Sequence, residues 1–219
     1  MYSIDLEKIP LDEFKEILCS IDLLPGRRIL LENLPEIIGG LKQRQILHLE
    51  ALRKLLQNKK HYPELAKTLP VSVDYLLVLN REVNSYLSKP VPLSELGVFS
   101  AVELEKLANA ALKTTKDLHE QAASPARRQE IATRLALPPE KILHALQLSD
   151  LLRINGVGPA YAAILWQIGL RSAADYLGCP SAEILARYQQ ASLARAKLGL
   201  KDIEYCKRFC RKLDSDIEW

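Results

Sequence analysis

Ile154-Asn155-Gly156-Val157-Gly158-Pro159-Ala160-Tyr161-Ala162-Ala163-Ile164, followed by Leu165, is the stretch on which the reading of this chain turns. An apolar residue precedes a Gly-Val-Gly turn. Pro159 then suits the first position of a helix, where its missing N–H removes no intrahelical bond. Ala162 and Leu165 follow at helical spacing, one small enough for close approach and one large enough to fill a core. Two glycines let the chain turn tightly and expose successive backbone N–H groups at a helix N-terminus, an arrangement that favours anions. If Gly158 holds a positive φ, a β-carbon there would strain the turn by roughly 1–3 kcal/mol and would block the approach of a phosphate.

The surrounding composition points to an all-α protein. The chain has 219 residues, 48% hydrophobic and 26% charged, with only 9 glycines. Leu, Ala and Ile dominate, and no segment alternates apolar and polar β-branched residues convincingly enough for a strand. The net charge of +3, from 30 basic and 27 acidic residues, does not by itself demand a polyanionic partner. Its distribution is uneven. Lys42, Arg44, Arg53, Lys54, Lys59, Lys60 and Lys67 are opposed only by Glu50 and Glu64. The start of the chain is acidic instead, with Asp5, Glu7, Asp12, Glu13, Glu16 and Asp22. Such a basic stripe reads as a backbone-binding face, a self-association face or an ordinary solvated helix surface.

The chain also echoes itself. Gly169-Leu170-Arg171-Ser172-Ala173-Ala174-Asp175 parallels Ala111-Leu112-Lys113-Thr114-Thr115-Lys116-Asp117, and Leu148-Ser149-Asp150-Leu151 parallels Leu93-Ser94-Glu95-Leu96. Leu137-Pro138, Leu69-Pro70 and Ile9-Pro10-Leu11 read as repeated helix openings. Apolar periodicity predicts helices over 11–23, 41–57, 71–87, 101–110, 114–122, 125–135, 139–152, 159–168, 172–177, 181–195 and 200–213. The expected organisation is an N-terminal helical region 1–88, a middle unit 93–135 and a C-terminal unit 137–219. Lys89-Pro90-Val91-Pro92 and Ser124-Pro125 are the expected breaks, since a proline holds the preceding residue out of the helical region.

Residues 148–177 resemble the helix-hairpin-helix of a bacterial family, domain of unknown function 4332, related to the hairpin domains of DNA-repair proteins and polymerases. In that family an apolar–x–Gly–apolar–Gly core precedes an Ala-containing helix, and a Gly–apolar–x–Ser/Thr step begins a further helix. Ile154, Gly156, Val157, Gly158 and Ala162 stand at the first set of positions, and Gly169-Leu170-Arg171-Ser172 at the second. The resemblance implies tandem helix-hairpin-helix-like repeats packed as a compact helical array, with a hairpin that grips nucleic-acid backbones without reading bases. The other units depart from the pattern. Leu96-Gly97-Val98-Phe99-Ser100 lacks the second glycine, and Ile38-Gly39-Gly40-Leu41 lacks the downstream step. One hairpin is well formed, where the best-known DNA binders of this kind pair two.

The expected contacts to a DNA backbone are the amides of Gly156, Val157, Gly158 and Ala160, with Arg153, Arg171 and Arg187 supplying charge. Gly-Val-Gly-Pro also reads as a plain interhelical turn with Val157 plugging the core, which would suit a helical scaffold or adaptor binding another protein or itself. Tyr161 is open to either a stacking or a core role, and Trp166 is expected in the core. Catalysis has no pattern behind it. His48, His61, His119 and His144 are scattered, and no phosphate loop, nucleophile elbow or zinc set occurs. No cofactor, no metal and no enzymatic role are therefore expected. Cys19, Cys179, Cys206 and Cys210 form no CxxC pair and read as reduced thiols of a cytoplasmic protein without a membrane span.

Overall fold

A computed structural model describes residues 1–191 and 197–219. The fold is all-α: helices and short 3-10 turns, with no β-strand among the described residues. The chain divides into two compact units, Asp5–Leu87 and Met1–Ile4 with Ser88–Trp219.

The unit Asp5–Leu87 holds α1 (Leu11–Ser20), α2 (Leu34–Gln43), α3 (Leu49–Gln57), α4 (Tyr62–Thr68) and α5 (Val73–Ser85). Helix α1 packs on α2, while α3 and α4 pack on α5. Leu11, Phe14, Ile17, Leu49, Leu52, Leu76 and Val83 are withdrawn from solvent to form its core. The 3-10 segment Pro25–Leu31 is held by Arg27, whose Nη1 lies 2.6 Å from Oε2 of the buried Glu82. Glu82 also accepts from the Tyr86 hydroxyl at 2.8 Å, which gives its other oxygen a partner. Removing Arg27 would leave the buried Glu82 carboxylate without its cation.

The second unit holds α6 (Ala101–Asn109), α7 (Thr115–Gln121), α8 (Pro125–Leu135), α9 (Pro139–Leu151), α10 (Pro159–Gln167), α11 (Ala173–Gly178), α12 (Ser181–Gln190) and α13 (Leu200–Cys210). Helix α9 is its axis. Ile142, Ala145 and Leu146 enter one apolar cluster with Leu118 and Ile131. Leu148, Leu151 and Leu152 enter another with Ile154, Leu165, Tyr176 and Ile203. Because one helix serves both clusters, the junction expected near residue 136 falls inside a single unit. The break expected at Ser124-Pro125 is a helix start, with Ser124 Oγ accepting from Arg127 N at 3.4 Å. Lys89-Pro90-Val91-Pro92, by contrast, begins just after the unit boundary at Leu87–Ser88, and within the second unit Thr115 N donates to Val91 O at 2.8 Å and Leu93 N to Lys113 O at 2.9 Å.

Four helices stop in the same way. Gln45, Ala111, Ala136 and Gly169 take left-handed φ values of 62°, 59°, 48° and 90°. The next residue (Ile46, Leu112, Leu137 or Leu170) then donates its N–H to the carbonyl of Leu41, Leu107, Ala132 or Leu165, at 3.1, 2.8, 2.9 and 2.9 Å. This closes the orphan carbonyls of a helix end and turns an apolar side chain inward. Two of these turns share two further bonds. Thr114 and Ser172 cap α7 and α11, accepting from the N–H of Asp117 and Asp175 at 3.3 and 3.0 Å. The same aspartates take the N–H of Lys113 and Arg171 at 3.0 and 2.9 Å.

Helix boundaries follow from these stops. The helix expected over 41–57 is two helices, because Gln45 breaks it at a left-handed position that no glycine marks. Helix α2 carries Gly39 and Gly40 in its body and α4 has Pro63 in its first turn, so composition hides both. Helix α5 starts at Val73 behind a Ser72 cap, not at Pro70. Helix α12 runs to Gln190, and residues 192–195 of the expected 181–195 lie outside the described residues.

Candidate nucleic-acid interface

The hairpin joins α9 to α10 and is fixed from below. Ile154 and Val157 are buried in the apolar cluster of α9, α10, α11 and α13, while Gly156, Gly158 and Ala160 face solvent. Val157 N donates to Ile154 O at 3.0 Å, which tightens the turn. Ala162 is 1% exposed, as its small side chain suggests. Gly158 is the N-cap of α10, and the amides of a first helical turn have no intrahelical acceptor. Pro159 lacks an N–H, so the turn offers the amides of Ala160 and Tyr161 at the positive end of the helix.

The two glycines have different roles. Gly156 has φ +90°, and a β-carbon there would lie 2.8 Å from Cys206 Sγ. Gly158 has φ −95° and ψ 174°, ordinary extended backbone, with nothing within 4 Å of a β-carbon. The strain expected at Gly158 therefore belongs to Gly156. The requirement is a close approach by α13: Tyr205 and Cys206 pack over Gly156, and the Tyr205 hydroxyl donates to Asn155 Oδ1 at 3.0 Å.

Arg153 is not at the surface. It is 2% exposed. Its Nε donates to Tyr2 O at 3.1 Å, its Nη2 to Met1 O at 3.0 Å and Asp214 O at 2.8 Å, and its Nη1 to Asp150 Oδ1 at 2.7 Å. Asp216 lies 3.3 Å from Nη1. Asp150 in turn accepts from Ala173 N at 2.7 Å, so this pair ties the end of α9 to the start of α11. Arg153 supports the hairpin from inside. The expectation that it contacts a phosphate fails because its guanidinium is turned to internal acceptors.

Arg171 is exposed but sits beyond the far end of α10. The rise along that helix puts it about 12 Å from the hairpin. Its guanidinium carbon lies 5.2 Å from the Trp166 ring centroid. Arg187 reaches the same turn, donating to Ile168 O at 3.2 Å and pairing with Glu183. The hairpin amides and the two arginines are thus not one cluster. Nearer the hairpin, Lys201 and Arg208 lie four and three residues from Tyr205 on α13 and share its side of the helix. No local pattern pairs them with the turn, because the contact of α13 with Gly156 joins parts of the chain that are far apart in sequence.

Many other cations are turned inward. Arg128 donates to Ala122 O at 3.1 Å and to Glu218 O at 2.7 Å. Lys207 donates to Leu177 O at 3.2 Å. Each thereby closes a helix C-terminus, α7 and α11 in turn. In the unit Asp5–Leu87 the basic stripe is largely answered. Lys42 pairs with Asp12 at 2.5 Å, Arg53 binds Glu50 twice at 2.7 Å, and Arg44 donates to Gly40 O and Thr68 O.

Tyr161 belongs to an aromatic group with Tyr176 and Tyr188, at ring separations of 6.5 and 5.7 Å. Burial pushes its hydroxyl up to about 12. Burial also raises Cys206 to about 11 and Cys210 to about 12, so neither thiol is a ready nucleophile. The histidines have separate local surroundings: His48 Nδ1 caps α3, His61 meets Asn58, His119 is buried against Tyr2, and His144 stacks on Trp166. Among the described residues no group of three His, Cys, Asp or Glu side chains is placed to hold a metal ion, and no helix is long and apolar enough to cross a membrane.

One family model, described as Domain of unknown function (DUF4332), matches residues 98–208, just over half of the chain. No curated protein and no solved structure matches.

Proposed function

This chain belongs to the DUF4332 family, and for it we propose a non-enzymatic role: sequence-independent binding of a nucleic-acid backbone, DNA first, through a helix-hairpin-helix formed by α9, the Gly156–Gly158 turn and α10. The observation that carries this reading is the division of the hairpin. Its apolar residues are anchored in the core while Gly156, Gly158 and Ala160 present bare backbone to solvent at a helix N-terminus. Glycine and alanine have little or no side chain to shield these positions, so a phosphate can approach the main chain directly. Lys201 and Arg208 supply charge beside the turn, and Arg171 supplies it at the other end of α10. Contacts of this kind set position and carry no base information. A cytoplasmic setting agrees with four cysteines that form no disulfide in the fold.

A helical scaffold or adaptor is the second reading, and the inward commitment of Arg153, Arg128 and Lys207 favours it, since these cations are withdrawn from any surface partner. Electrophoretic or anisotropy titration of unrelated duplexes separates the two. Equal affinities for all sequences, lowered alike by Lys201→Glu, support the backbone reading. Binding that depends on sequence, or that is indifferent to Lys201→Glu and Arg208→Glu together, removes it.

A further inference from the structure

We propose that the Arg171 guanidinium, lying over the Trp166 indole on which His144 stacks, is a platform for an unpaired nucleobase, so that the protein prefers single strands to duplex; this rests on the backbone-binding reading above. The indole beneath the guanidinium is held on two sides. Trp166 Nε1 donates to Gln147 Oε1 at 2.8 Å, which fixes the indole plane. His144 stacks on the indole with ring centroids 4.0 Å apart and planes 29° from parallel. Arg171 lies over the same indole at 5.2 Å. The indole is half-buried and Arg171 is exposed. Among the described residues no carboxylate pairs with the Arg171 guanidinium, because Asp175 is engaged by the backbone N–H of Arg171 and by its own turn.

The stack is not needed to make the turn. The matching turn after α6 has Ala108 where Trp166 stands and Lys113 where Arg171 stands, yet it makes the same helix stop and the same cap. Packing against the apolar cluster accounts for the buried part of Trp166; the exposed planar cation over its ring is what a nucleobase would meet. A guanidinium plane stacks on a base face, and every base offers such a face, which makes the contact tolerant of sequence. In a duplex those faces are already covered by neighbouring pairs. Helix α10 spans about 12 Å, and a few nucleotides of an unstacked strand, which is more extended than a strand of a duplex, cover that length. One strand can therefore meet both places.

Trp166 itself reports on the contact. The chain has two tryptophans, so Trp219→Phe leaves Trp166 as the sole indole. Oligo-dT is expected to quench its emission saturably and to bind at least about fivefold more tightly than a duplex, the low end for one stacked base. Arg171→Lys keeps the charge and loses the plane. It is expected to abolish the single-strand preference, read as the ratio of oligo-dT affinity to labelled-duplex affinity measured on the same variant. Retained preference in Arg171→Lys, or oligo-dT binding without a change in Trp166 emission, overturns the platform. Duplex binding with silent Trp166 leaves the hairpin reading standing and this one fallen. Quenching by oligo-dT without any duplex binding supports the platform and counts against duplex contact at the hairpin. If neither probe binds, both fall.

Discussion

Gly156→Ala is expected to destabilise the protein by about 2–4 kcal/mol. The backbone at Gly156 holds φ +90°, and the added carbon would lie 2.8 Å from Cys206 Sγ and 3.6 Å from the Tyr205 ring. A non-glycine residue in such a conformation costs roughly 1–3 kcal/mol. Forcing a methyl into a packed contact costs roughly 1–3 kcal/mol more, moderated here because a single sulfur can shift. Gly158→Ala is the control. Its φ is −95° and the space around it is open. The gain from restricting the unfolded chain, about 0.4–1 kcal/mol, roughly offsets the poorer N-cap. The net change should stay within about 0.5 kcal/mol. Urea unfolding followed by far-UV circular dichroism gives both values from one experiment, provided the slope is unchanged. The same Gly158→Ala protein remains folded and carries a methyl among the exposed amides, so its affinity for nucleic acid should fall while its stability does not. Equal costs at the two glycines, or a loss below about 1 kcal/mol at Gly156, would refute the assignment of the close contact to that residue.

Arg153→Ala should cost about 3–5 kcal/mol in urea unfolding, because it leaves Asp150 buried without its cation. A loss below about 1 kcal/mol would mean that the guanidinium is not the internal tie described. Thiol labelling of the folded protein should modify the exposed Cys19 first and Cys179 more slowly, and should leave Cys206 and Cys210 unmodified until denaturant is added. Fast labelling of all four would contradict their burial. Stability should decline in acid in two stages. His119 is held below its ordinary value by burial and by Arg153, against the pull of Asp216 and Asp150. Its neutral form therefore stabilises the fold above about pH 6.5, and that contribution is lost as pH falls below it. Glu103, pulled down to about 2 by Lys141 and by the Ser100 N–H, contributes stability above its unfolded value that is lost as pH falls toward 2. His119→Gln should remove the first stage of the unfolding profile and Glu103→Gln the second.

The fold class is legible in the sequence because it rests on local signals. Apolar residues at helical spacing in α9, α10 and α13, caps at Ser72, Thr114 and Ser172, and the near absence of strand-forming patterns all act over short spans. The stops at Gln45, Ala111 and Ala136 are not legible. A non-glycine residue in the left-handed region is imposed by the apolar residue that follows it, and composition does not mark it. The hairpin is legible to the extent that Ile154, Val157 and Ala162 are buried and Gly156 turns. The division of work between Gly156 and Gly158 is not, because α13 sets it from a distant part of the chain. Charge is the least legible property. Arg153 looks like a phosphate ligand in a linear string beside the hairpin, but the carbonyls of Met1, Tyr2 and Asp214 surround it.

The salt dependence of duplex DNA binding tests the central claim most directly. Lys201, Arg208 and Arg171 are the cations assigned to phosphates. Three phosphates give a slope of log affinity against log salt of roughly −2 to −3, at about −0.9 each. Weak binding that follows this slope and is the same for every duplex sequence is the expected result. A folded protein that binds neither duplex nor single-stranded nucleic acid at about 50 mM salt would contradict it.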